Sequence, residues 1–493
     1  MNNEIAILLN QIGPGKMSAT AYDTAWVARL AEVDRELSNH ALEWLIENQL
    51  PDGSWGAAAP LYYHDRVIST LAAMIALTKY GRRALDRAQI ERGLIALEKI
   101  TKQTTKDLTA DPNGATIGFE MIVPTLVAEA HELGILKQNS QSILSRLSAL
   151  RKTKLTRMMG RKINRQVTMA FSAEMAGLDG QEILDVENIQ EENGSLGNSL
   201  SATAYYAIYV KYQNPSALTY LREWTHADGG APNVAPFDIF EPAWALWNLN
   251  LIPDLKQDLL SLGASHIDYL HSHWSDEKGI GHDSQFTPKD GDDSGLVFEL
   301  LHGFGRTVNI DAVLYYEETD HFRCFDLEAN PSISTNIHVL GALLAAGYDA
   351  SRPAVQKILR FLLSNRTGGK FWFDKWHASP YYATSHTIIL AGACAKEMCA
   401  TAVQWILDTQ RSNGAWGFYG PTAEETAYAL QALCIWRRSG GKVPKEKIEL
   451  GRNWLEKHAN KPFEPLWIGK GLYSPELVVR SAVLSAMTLA KED

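Results

Sequence analysis

The chain has 493 residues, of which 45% are apolar and 21% charged, and its formal net charge is −10. This length predicts two or three domains, the composition excludes a disordered chain, and the acidic balance argues against nucleic acid as the main partner. Four cysteines (Cys324, Cys394, Cys399, Cys434) are too few and too scattered for a disulfide framework, and Cys394 and Cys399 lack CxxC spacing, so reduced thiols in a cytoplasmic protein are expected.

The N-terminal stretch MNNEIAILLNQIGPGK has no basic region ahead of a long apolar run, which predicts no signal peptide. No run of about eighteen apolar residues suggests a membrane span. Apolar residues recur at i, i+3, i+4 and i+7 in ALEWLIENQL (41–50), VISTLAAMIALTKY (67–80), NIHVLGALLAAGY (336–348) and TAYALQALCIW (426–436). That is the period of amphipathic helices, and alternation with period two is scarce. Loops such as LPDGSWG, EENGSLG, ADGGAPN and RSNGAWG separate the helical stretches. The predicted fold class is all-α, built from antiparallel helix pairs.

Three of the loops form an internal repeat. Gln49, Gly53 and Trp55 are spaced QxxxGxW, Gln410, Gly414 and Trp416 repeat the spacing, and Gln190 and Gly194 do so with Leu196 in place of Trp. Such a unit closes one helix, turns on glycine and pins the turn with a large side chain; a single copy reads as an ordinary helix cap, and three copies favour the repeat. RKTKLTRMMGRKINR (151–165) holds seven Lys or Arg and no acid. It reads as a solvated helix face or as a cationic approach to an anionic substrate.

The stretch TPKDGDDSGLVFELL places Asp290, Asp292 and Asp293 in a DxDD pattern just ahead of an apolar helix. Taken alone, the pattern fits a metal site, an acid-favouring helix N-terminus or an acid catalyst. Packed carboxyls cannot all ionise, so one keeps its proton at neutral pH, and a neutral carboxylic acid in a dry pocket is a strong Brønsted acid. Protonating an isolated alkene needs that strength. Aromatic faces then stabilise a migrating cation. A DDxxD motif, the pattern that ionises an allylic diphosphate through magnesium, does not occur in the sequence.

DGDD resembles the DxDD acid motif of class II diterpene cyclases, in which the middle aspartate, here Asp292, is the proton donor, and the QxxxGxW repeat resembles the QW motif of triterpene and diterpene cyclases. SATAYDTAWVARL (18–30), NQLPDGSWG (48–56), HDRVISTLAAMIAL (64–77), IGFEMIVPTL (117–126), SLSATAYYAIYV (199–210), GGAPNVAPFDIFE (229–241) and NPSISTNIHVLGAL (330–343) look like segments of plant copalyl diphosphate synthases. DKWHASPYYATSH (374–386) and TAEETAYALQAL (422–433) extend the likeness, and overall the sequence is similar to bacterial halimadienyl and kolavenyl diphosphate synthases. The resemblance implies protonation-initiated cyclisation of geranylgeranyl diphosphate with Mg²⁺ as cofactor and the diphosphate retained. It implies that Asp290 and Asp293 flank the acid and that Asn336 hydrogen-bonds it. Glu120 falls where the family has a glutamate associated with magnesium and diphosphate, Lys154 near its diphosphate-contacting lysine, and Asn233 at the asparagine that helps hold a water as final base.

One departure bears on the product. Where the plant enzymes pair that asparagine with a histidine, TMAFSAEMAGL places Phe171 or Ser172. Without that imidazole, the first bicyclic cation is expected to rearrange to a kolavenyl or halimadienyl skeleton. The resemblance also implies a βγ pair of α-barrels, γ at 19–222 and β at 1–18 plus 223–493, with the site between them. The chain ends at KED, with no further DDxxD-bearing domain expected, so a separate class I terpene synthase or phosphatase is expected to act on the product. The competing readings are a squalene-hopene-like or meroterpenoid cyclase of an uncharged polyene, a protein prenyltransferase subunit, for which no zinc-ligand spacing is present, and a non-catalytic prenyl-binding barrel.

Overall fold

The structure, a computed structural model, describes residues 2–13, 15, 17–81, 83–104, 114–137, 141–158, 160–460 and 462–492. Met1, Pro14, Lys16 and Met159 of the stretches discussed above, and Asp493 of the terminal KED, lie outside them. The all-α expectation holds. The periodic stretches fall in the helices Arg35–Glu47, Tyr63–Tyr80, Ile333–Ala345 and Ala423–Arg438, and the only strands among the described residues are two short antiparallel pairs. No described helix is long and apolar enough to cross a membrane.

Six helices close a ring. Phe240–Asn250 packs on Gly291–Gly303, which packs in turn on Ile333–Ala345, Pro380–Ala391, Ala423–Arg438 and Glu476–Glu492, and the last returns to Phe240–Asn250. Inner helices of such a ring bury almost every face, and Pro380–Ala391 is buried at ten of its twelve positions, with no apolar stripe of its own. A second ring joins Ala21–Val27, Tyr63–Tyr80, Phe119–Glu132, the 3₁₀ segment Thr168–Ala176 and Leu200–Tyr205.

Each ring has its own apolar core. One core draws on Ala21 through Ala235, the other on Phe237 through Ala490 together with Ile5, Leu8, Leu9, Ile12 and Met17. The N-terminal helix Asn2–Gln11 therefore belongs with the second half of the chain. Residues 223–235, which the sequence assigns to the β unit, pack with the first ring, because Ala231–Pro232 pairs antiparallel with Ala19–Thr20.

The repeat is a hydrogen-bonded device. Gln49 Nε2 donates to Gly53 O at 2.8 Å and to Gln89 O at 2.8 Å, and Gln410 Nε2 donates to Gly414 O at 2.9 Å and Lys447 O at 2.8 Å. Trp55 and Trp416 each donate Nε1–H to the carbonyl ten positions upstream, Leu45 and Ile406, at 2.7 Å. Trp372 does the same to Leu362 at 2.7 Å, a copy the sequence hides because Arg366 and Lys370 stand at the Gln and Gly positions. The turn glycines Gly53, Gly194 and Gly414 have φ of 90°, 90° and 94°. A Cβ at Gly414 would lie 2.4 Å from Leu450 O, so both the conformation and the contact require glycine.

Candidate active site

The helix Gly291–Gly303 begins on its own acid. Asp290 is the N-cap, its Oδ1 accepting from Asp292 N at 3.0 Å and Asp293 N at 2.8 Å. Gly291 is required by a close approach, since a Cβ there would meet Arg323 O at 2.5 Å. All three carboxyls are buried, Asp292 at 6% exposure. Burial above all, with the charges of its aspartate neighbours, pushes Asp290 up to about 7 and raises Asp293 well above the usual carboxylate range. The cluster therefore retains protons at neutral pH.

Asp292 is gripped from the neighbouring helix Ile333–Ala345. Ser334 Oγ donates to its Oδ2 at 2.8 Å, and His338 Nδ1 lies 2.5 Å from its Oδ1. Ser334 and His338 are four positions apart and share a helix face. Gly295 lets that face come close, because a Cβ there would sit 2.8 Å from the His338 backbone. Asp374 anchors the start of the helix, its Oδ1 accepting from Ile333 N at 2.8 Å, Ser334 N at 3.0 Å and Ser332 Oγ at 2.9 Å.

Asn336 does not hydrogen-bond Asp292, contrary to the resemblance. Its Oδ1 accepts from Phe322 N at 2.9 Å, and its Nδ2 donates to Phe322 O at 3.0 Å and Ser332 O at 2.8 Å. Two positions along a helix turn a side chain about 200° away, so Asn336 faces the loop behind the helix while Ser334 and His338 face the acid. The grip on Asp292 therefore belongs to residues that the sequence reading did not single out. The i, i+4 spacing of Ser334 and His338 was visible, but not which face of the helix meets DGDD.

Aromatic rings crowd this region. Trp244 stands edge-on to His338 with centroids 5.4 Å apart, stacks on Phe240 at 4.0 Å and donates its Nε1–H to Tyr382 OH at 3.2 Å. Trp467 lies 4.9 Å from Tyr382 and donates Nε1–H to the buried Glu424 at 2.7 Å.

The other expected residues lie at the junction of the two rings. Glu120, in the first turn of Phe119–Glu132, ion-pairs with Lys154, and the adjoining Ile117 N donates to Gly469 O at 2.8 Å. Glu120 presents a single carboxylate, and no cluster of three or more ligating side chains occurs among the described residues, so a divalent ion here would need most of its ligands from outside the chain. Asn233 is fully buried, its Nδ2 donating to Asp23 at 2.8 Å and its Oδ1 accepting from Lys470 N at 3.3 Å. One amide hydrogen and one carbonyl lone pair remain for a further partner. Phe171 lies under the Lys470 ammonium, 4.4 Å from the ring centre. Lys470, absent from the sequence reading, is fully buried, with Glu174, Ser199 and Ser201 each at 2.7 Å.

A crevice of about 890 Å³ opens between the two halves of the chain, with Arg161 and Lys162 on one wall and Lys278, Lys289 and Arg323 on the other. The three aspartates do not line it. Within the basic stretch 151–165, Lys154 and Arg151 are engaged, the latter donating to Thr125 and Met175 O, while Arg161 and Lys162 face the crevice.

The squalene-hopene cyclase C-terminal domain profile matches residues 319–464. A type B diterpene cyclase of Mycobacterium tuberculosis is 46% identical over 482 residues, 97% of this chain and 96% of that protein. An ent-copalyl diphosphate synthase of a Streptomyces species is 29% identical over 503 residues, 96% of this chain and 92% of that one. The solved ent-copalyl diphosphate synthase from Streptomyces platensis superposes with a TM-score of 0.80 at 28% identity, covering 99% of both chains.

Proposed function

The chain belongs to the class II diterpene cyclase family, and on that footing we propose that it protonates geranylgeranyl diphosphate from Asp292 and releases a bicyclic C20 diphosphate. The observation that carries this reading is the Asp292 carboxyl, buried and held by Ser334 at 2.8 Å and His338 at 2.5 Å, with Trp244 edge-on to that histidine. Hydrogen bonds to the carboxyl oxygens stabilise the carboxylate left behind in a site closed to water. Trp244, Trp467 and Tyr382 offer π faces to the cations that follow.

Glu120 and Lys154 receive the diphosphate end. Lys154 would contribute charge and Glu120 would hold Mg²⁺, which would supply neutralisation of the diphosphate oxygens. Their place at the junction, away from Asp292, suits a substrate whose head and tail are handled separately. Arg161, Lys162, Lys278, Lys289 and Arg323 outnumber Asp185, Glu318 and Asp326 along the crevice, an excess of positive charge that would draw an anionic substrate. Asn233, with hydrogen-bonding capacity to spare, holds the terminal water. Phe171 cannot accept a proton, so the early cation persists and rearranges, with a kolavenyl product ahead of halimadienyl and copalyl diphosphate as the unrearranged alternative. The diphosphate leaves intact for a class I terpene synthase or a phosphatase.

Incubation of the protein with geranylgeranyl diphosphate and Mg²⁺, then phosphatase treatment and mass spectrometry, tests the reading. A bicyclic C20 alcohol is expected. Turnover of an uncharged polyene without Mg²⁺, and none of the diphosphate, would replace it with the squalene-hopene-like alternative.

A further inference from the structure

A second imidazole continues the line from Asp292. His338 presents Nδ1 to Asp292 Oδ1 at 2.5 Å and Nε2 to His386 Nδ1 at 3.0 Å. His386 is fully buried, and its own Nε2 has no hydrogen-bond partner among the described residues. Trp247 stacks on it at 4.4 Å, and Tyr382 and Tyr428 flank it at 4.5 Å and 5.7 Å. Burial, then the nearby His338 and His377, hold His386 well below the usual histidine range, so it is a neutral ring with one N–H and one bare nitrogen.

The position of that one hydrogen decides what His338 does. In a nitrogen-to-nitrogen contact, one ring donates and the other accepts. If His386 carries its hydrogen on Nδ1, it donates to His338 Nε2, and a neutral His338 must carry its own hydrogen on Nδ1, facing Asp292. If His386 carries it on Nε2, that N–H is a buried donor with no acceptor, which costs more than a bare acceptor. His338 would then present a lone pair to Asp292 and tie up the acid's proton.

We propose that His386 is a positioning residue that fixes the tautomer of His338, so that His338 donates Nδ1–H to Asp292 Oδ1 and leaves the Asp292 proton free for the alkene. The inference rests on Asp292 being the acid. His386 makes no hydrogen bond to the acid and acts through His338. During protonation, the O–H bond of Asp292 breaks with its electron pair left on the carboxylate, the alkene π pair forms the new C–H bond and leaves a carbocation, and the His338 hydrogen bond stays in place to stabilise the carboxylate. The final cation gives up a proton to water, and Asp292 regains one from solvent before the next turnover.

Two variants and one spectrum test this. His386→Phe keeps a ring in the stack but removes the donor, and kcat should fall by about ten- to a hundredfold with KM unchanged. His386→Gln restores an N–H donor and should recover most of the rate. In ¹⁵N-histidine NMR, with the His338 signals assigned by their loss in His338→Gln, the wild-type protein should show His338 protonated at Nδ1 and His386→Phe should show it shifted toward the Nε2–H form. A His338 protonated at Nε2 in the wild type, or a His386→Phe enzyme of unchanged kcat, overturns the inference. The NMR readout does not depend on turnover, so failure of Asp292 as the acid would be seen separately, as cyclisation by Asp292→Asn.

Discussion

Asp292 and His338, 46 positions apart in sequence, meet at 2.5 Å in the wall between two adjacent inner helices. That contact exists because Gly295 brings the helices together and because Asp374 and Ser332 start the second helix at a fixed place. The acid is thus held by rigid elements rather than by a loop, which suits a proton donor that must stay aimed at one carbon.

The protonation of the aspartate cluster should be visible in stability. In an unfolded chain, Asp290 titrates near pH 4 (~3.9), and in the folded protein it is raised to about 7. Between those values the folded state holds a proton that the unfolded state has lost, so this contribution to stability is complete below about pH 4 and is lost as pH rises through 7. Asp290→Asn keeps an N-cap acceptor and removes the titration. Thermal melts from pH 5 to 8 should show the variant gaining on the wild type as pH rises, whereas parallel curves would place the retained proton elsewhere.

The repeat glycine should be intolerant. Gly414→Ala forces an L-residue to φ 94° and a Cβ to 2.4 Å from Leu450 O. A loss of about 2 kcal/mol or more is expected, read as a lower urea midpoint. An unchanged midpoint would mean that the turn is far more pliant than its hydrogen bonds imply.

Much of this was legible in the sequence for a physical reason: helical period, turn glycines and DGDD are all short-range signals. What was hidden depends on long-range placement. Trp372 repeats the tryptophan clamp without the Gln and Gly that mark it elsewhere. The resemblance points to Asn336, whereas Ser334 and His338 meet the acid, because sequence shows the helix but not its rotation. Lys470 and Glu174, which meet at 2.7 Å with neither side chain exposed, are 296 positions apart, and neither residue alone signals a buried ion pair. The edge of the first core moved to Ala235 because two strand residues from distant parts of the chain pair there.

Magnesium dependence should follow Glu120. Glu120→Ala leaves Lys154 without its partner and removes the carboxylate proposed for the ion. The Mg²⁺ concentration for half-maximal activity and the apparent KM should both rise by about tenfold. A superimposable Mg²⁺ titration would move the ion to other residues.

The product should respond to Phe171. In Phe171→His, the Lys470 ammonium, 4.4 Å from the present ring centre, disfavours the imidazolium and keeps the new imidazole in its proton-accepting form. Competing cation fates separated by about 1–2 kcal/mol shift about tenfold with small changes, so the unrearranged copalyl fraction should grow. An active variant with the wild-type product profile would refute the missing-base argument and leave the cyclase assignment untouched.

The central claim is that Asp292 supplies the proton. Asp292→Asn keeps the size and shape of the side chain between Ser334 and His338 and one of its two acceptor oxygens, and removes its acidity. Turnover of geranylgeranyl diphosphate should drop by about a thousandfold or more, with substrate binding retained, because Glu120 and Lys154, the residues proposed for the diphosphate, are untouched. Cyclisation by Asp292→Asn within about tenfold of wild type would contradict the account.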